Sequence, residues 1–251
     1  MPTRSHDSTN EQHPIGLSVF LHLFPGLVLL AGFLLLGPVM VAHGLPSLLA
    51  LIVADAFVVL PIMVGILIYA GRRTSPEDHR VPVIAYREKI QWQWSAILAT
   101  ATLTWAVLAF VLLAPLADAL KSQVFSWVPA WFDLGDYAVN PESYPFWAVL
   151  TTWLLALVVT SIAAPVVEEL YFRGYLLPRI DRYGAWAPLI NVALFAVYHF
   201  WSLWLVPTRI VALLPLVYVV WLRRSIYVAL VVHVLLNLVG DSLLAIPAIF
   251  G

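Results

Sequence analysis

The chain has 251 residues, 62% of them hydrophobic and 11% charged, and its mean hydropathy is +0.92. A water-soluble domain of this length needs far more polar surface, so the composition predicts an all-α, polytopic membrane helical bundle. The formal net charge of −1 says little about partners and gives no reason to expect nucleic acid, and the lack of cysteine excludes disulfides, a cysteine nucleophile and thiolate metal ligands.

In chain order, residues 1–14 are polar and read as a disordered cytoplasmic tail. Residues 15–251 read as a single multi-pass membrane domain, without internal repeats or low-complexity linkers. The run from Ile15 to about Ala42 is too long for a signal-peptide core and has no evident cleavage site, so it is a retained span. Further apolar segments at about 45–70, 94–116, 145–167, 186–203, 205–222 and 225–246 bring the expectation to about seven transmembrane helices. The fourth is expected to continue as helix to Leu177, where Pro178 ends it. Trp92, Trp94, Trp147, Trp201 and Trp204 fall near segment ends, as interfacial aromatic belts do.

The basic residues supply an orientation. Arg4, the connection after the second span (Arg72, Arg73, Arg80, Arg87, Lys89), the segment after the fourth (Arg173, Arg179, Arg182) and the connection after the sixth (Arg223, Arg224) fall on one side. Only Lys121 and Arg209 fall on the other. The positive-inside rule then predicts a cell-membrane protein with a cytoplasmic N-terminus and an outside C-terminus, or an endomembrane protein in a eukaryotic host. The outer connection 117–144 is acidic and carries Trp127, Trp131 and Phe132, which suits a segment lying on the membrane surface.

A charge in hydrocarbon costs about 2.5–3.5 kcal/mol on insertion scales, so each needs a reason. The stretch VVEELYFRGY, residues 166–175, puts Glu168, Glu169 and Arg173 into an apolar segment. Adjacent helical residues point about 100° apart. Glu169 and Arg173 stand at i and i+4 in the order that favours an ion pair, leaving Glu168 as the carboxylate without a local partner. That makes Glu168 the candidate general base or acid. His233, Asn237 and Asp241 form one stripe at i, i+4 and i+8, and Phe195 and His199 share a face. At about 1.5 Å per residue, Glu168, His199 and Asn237 come to roughly 18–20 Å from the cytoplasmic side and His233 to about 12 Å. His22, His43 and Asp55, taken singly, read as satisfied interhelical hydrogen-bonding groups, and Asp241 as solvated near the outer interface.

Three motifs on successive spans carry a resemblance. EELYFR matches an EExxxR pattern, FAVYH an FxxxH pattern and HVLLN an HxxxN pattern, in that order over about residues 168–237. The chain thereby resembles the CAAX-protease and bacteriocin-processing family, which includes the type II CAAX prenyl endopeptidases, with a family-like core at about 145–246. The resemblance implies a glutamic intramembrane endopeptidase without a cofactor or metal. Glu168 and His199 would activate a water, His233 and Asn237 would stabilise the oxyanion, and Glu169 with Arg173 would hold the helix. The expected partners are the bilayer and a peptide or membrane-protein substrate, lipidated or not.

Other chemistries fit the residues less well. HExxH and GxSxG are absent, and LVGD at 238–241 lacks the first glycine of a GxGD pattern. A zinc site built from Glu168, His199 and His233 stays open as an alternative mechanism. A non-proteolytic scaffold or peptide-immunity protein stays open as an alternative function.

Overall fold

In the computed structural model, residues 11–74 and 83–250 are described. Most of the expected tail, with Arg4 and Arg80 of the charge argument, lies outside them. The chain is a multi-pass membrane protein. Among the described residues, six helices are long and apolar enough to cross a bilayer: α1 (Ile15–Ala42), α2 (Ser47–Arg73), α3 (Trp92–Leu112), α4 (Phe146–Tyr183), α6 (Phe200–Arg223) and α7 (Tyr227–Phe250). Between α4 and α6 lies a shorter apolar helix, α5 (Trp186–Tyr198). Their outward faces are what lipid requires: Phe57, Leu35 and Leu112 are 78%, 74% and 73% exposed.

Helix α1 packs on α2 and α5, while α3 packs on α6 and α7. Helix α4 meets α7 along its first half. The approach of α1 to α5 depends on Gly26, where a Cβ would sit 2.0 Å from the Tyr198 carbonyl oxygen.

The connections that carry most of the basic residues meet at one end of the bundle. Ala85 N–H donates to the Gly174 carbonyl, Glu88 N–H to that of Arg224, and Ile226 N–H to that of Tyr86. Asp181 accepts from Trp221 Nε1 at 2.5 Å and pairs with Arg224 at 3.6 Å. The last residues of the expected tail are packed here. Gln12 donates to the Pro178 carbonyl, and His13, 8% exposed, donates its backbone N–H to that of Arg179.

At the other end, residues 113–145 fold over the bundle instead of only lying flat on a surface. Trp127 stays exposed, but Phe132 is buried against Phe33 at 4.8 Å between ring centroids. Ser47 Oγ donates to the Asp133 carbonyl at 3.2 Å. The rings of Trp131 and Phe132 bury apolar area against Phe33 of α1.

Two helices depart from the expected boundaries. Helix α4 passes Leu177 and continues as 3₁₀ helix to Tyr183, because Pro178 sits at the second position of that turn and its missing N–H costs nothing there. The α-helix of α5 stops at Tyr198, not near residue 203, and residues 200–205 form a 3₁₀ stretch that opens α6.

Candidate active site

The local structure of α4 separates its two glutamates. A π turn at Val159–Ala163 precedes Pro165, a short α stretch holds Ala164–Glu168, and π geometry returns at Glu169–Leu176. Pro165 has no N–H to give the Thr160 carbonyl five residues before it, so that oxygen needs another donor. Asn237 on α7 supplies it, through Nδ2 at 2.9 Å. The turn that leads into Pro165 is thus also the point at which α7 is fastened to α4.

Glu168 lines a cavity of about 550 Å³ and accepts a hydrogen bond from the Tyr198 hydroxyl at 3.2 Å. Glu169 faces the packed interior, with no exposed surface. Its Oε1 pairs with Arg173 Nη1 at 3.2 Å, and the Arg173 guanidinium lies 3.9 Å over the Phe195 ring. The same Oε1 accepts from His233 Nδ1 at 2.9 Å. His233 Nε2 lies 3.8 Å from Glu168 Oε2, so this imidazole stands between the two carboxylates. The i, i+4 ion pair follows the sequence expectation; the tie from Glu169 to His233 does not appear in helical spacing.

His199 stands at the break after α5. Its Nδ1 donates to the Phe195 carbonyl at 2.9 Å, which leaves Nε2 as an acceptor. Arg209 on α6 secures the break by donating to the Ser202 carbonyl at 3.1 Å and to Ser202 Oγ at 2.8 Å. Glu168, His199, His233 and Asn237 all line the one cavity, together with Asp55, Arg209 and mostly apolar side chains. Tyr137, from the segment folded over the bundle, also lines it. Burial, and after it the Asp241 carboxylate, pushes the Tyr137 phenol up to about 12, so it remains a neutral hydroxyl.

Asp241 corrects one expectation. It accepts from Ser161 Oγ at 2.6 Å and from Thr160 Oγ1 at 2.9 Å, so it is an interhelical acceptor on the α4 π turn and not a solvated surface group. His22 does hydrogen-bond within the bundle, to the Ser18 carbonyl at 2.7 Å and to Asn191 at 3.0 Å. Sequence reasoning missed Arg209 as a cavity residue because it served there only as a topology marker, and missed Tyr198 although it adjoins His199. Among the described residues no three His, Cys, Asp or Glu side chains converge as a metal ion would need.

Residues 150–239 match the family described as type II CAAX prenyl endopeptidase Rce1-like. The matched segment holds all three motifs, and the match supports the likeness to the CAAX-protease family that they carry. The family is one of endopeptidases. No curated protein and no solved structure matches the chain.

Proposed function

With the family likeness over residues 150–239 as premise, we propose that the chain is an intramembrane endopeptidase that uses Glu168 as general base on a hydrolytic water. One observation carries this reading: four polar side chains from α4, α7 and the end of α5 line a single cavity whose walls are otherwise mostly apolar.

The chemistry follows from the donors and acceptors available. Glu168 takes one water proton, and His199 Nε2 accepts a hydrogen bond from the other O–H and orients the water. The water oxygen attacks the peptide carbonyl carbon, and the oxyanion receives N–H donors from Asn237 and His233. Asn237 has given one amide hydrogen to Thr160 and keeps the second. His233 gives its Nδ1–H to Glu169, and an Nε2–H on the same ring supplies the second donor. Glu168 then returns its proton to the leaving nitrogen as the C–N bond breaks, giving a carboxylic acid and an amine. Arg173 and Glu169 act one layer behind, holding the His233 ring.

The substrate is a peptide or membrane protein, lipidated or not, that reaches the cavity within the bilayer. Comparing new peptide termini in membranes carrying the wild-type protein or Glu168→Ala tests the reading. Termini that depend on Glu168 are expected; identical sets of termini would sink it.

A further inference from the structure

Asp55 is a charged cavity residue that the chemistry above leaves unused. It opens the π turn Asp55–Val59 in α2, is 5% exposed, and its Oδ1 makes no hydrogen bond. A buried polar atom without a partner is costly and needs a reason. Asp55 lines the same cavity as Glu168, beside Leu29 and Leu51, and lies outside the segment that matches the endopeptidase family.

We propose that Asp55 is a substrate-positioning residue whose carboxyl accepts a hydrogen bond from a backbone N–H of the bound peptide; this rests on the peptidase reading. A peptide entering a membrane cavity loses the water that satisfied its N–H groups, and each then needs a protein acceptor. In a cavity with mostly apolar walls, an unpartnered carboxyl oxygen is such an acceptor.

The test uses the purified full-length chain and fluorescent apolar decapeptides without Lys or Arg, each also made with one backbone amide N-methylated. Asp55→Asn keeps an acceptor oxygen and is expected to hold KM within about threefold. Asp55→Leu leaves the peptide N–H unsatisfied and is expected to raise KM by about tenfold or more with little change in kcat. Its melting temperature should be unchanged or higher, since an unsatisfied polar group has been replaced by an apolar one. One N-methyl position should raise KM for the wild type and not for Asp55→Leu.

An unchanged KM in Asp55→Leu overturns the proposal. So does an equal kcat loss in Asp55→Asn and Asp55→Leu, which would mark a proton-transfer role. If the wild type cleaves none of these peptides, the peptidase reading loses its support and equilibrium binding of the same peptides decides about Asp55. Binding weakened about tenfold in Asp55→Leu sustains the contact; equal binding, or none by the wild type, overturns it.

Discussion

Glu168 and Glu169 are neighbours in the chain and sit on faces of α4 that differ in every respect but charge. The Glu168 face opens on the cavity, where the carboxylate meets one phenol and the edge of an imidazole. The Glu169 face is closed, and its Oε1 is shared between a guanidinium and the other edge of that imidazole. A carboxylate held by fixed partners can orient and neutralise, whereas one facing a cavity can exchange a proton with something that enters. His233 joins the two faces, so the closed side can influence the open one without touching substrate.

The largest effect should separate the glutamates directly. Glu168→Gln is expected to lower kcat by about 10²–10⁴, the usual loss when a general base is removed, with a melting temperature close to that of the wild type. Glu169→Gln should instead be seen mainly as instability, because it leaves Arg173 buried without its counter-charge. Breaking one partner out of a buried pair costs about 3–5 kcal/mol. Thermal melts followed by tryptophan fluorescence, with turnover measured on the same samples, distinguish the two outcomes. Equal activity loss in both variants at unchanged melting temperature would erase the division between the faces.

Asn237→Ala sharpens the comparison from the α7 side. Loss of one oxyanion donor should lower kcat by about 10²–10³ and change KM little. Asn237→Asp should give no rescue near neutral pH, since an ionised carboxylate cannot donate to Thr160 or to an oxyanion. Its activity should climb as the medium is acidified and the carboxyl becomes protonated. A pH profile of kcat that stays flat and low would remove the donor role from this position.

The smallest expected effect is none. Exhaustive chelation of the purified protein should leave turnover unchanged if Glu168 and His199 handle water between them. Stoichiometric zinc required for activity would reassign Glu168, His199 and His233 as metal ligands, and the open face of α4 would then bind a cation and not a proton.

Much of this arrangement was legible in the sequence because it is written in single-helix spacing. The apolar runs located the long helices, and i, i+4 spacing paired Glu169 with Arg173 and put His233 on one stripe with Asn237. Features that depend on two distant segments were not legible. Asp241 finds its donors about 80 residues earlier, on Thr160 and Ser161, and no periodicity within α7 names them. The break at His199 leads into FWSLWL, which continues the apolar pattern, and is secured by the Arg209 guanidinium. The π turns are likewise silent, since one extra residue in a turn leaves composition and hydropathy unchanged.

The cavity is assembled from two sources. Its motif side chains come from α4, α7 and the end of α5, while Leu29, Leu48, Leu51 and Asp55 come from α1 and α2, and Val107 and Phe110 from α3. The proposed reacting groups and much of the enclosing wall therefore sit in separate stretches of the chain. On the peptidase reading, substitutions among the wall residues of α1–α3 would change which peptides fit while Glu168, His199, His233 and Asn237 stay in place. New preferences would then evolve by drift in the wall, and chimaeras that join a foreign α1–α3 to this α4–α7 would show how far specificity travels with the wall.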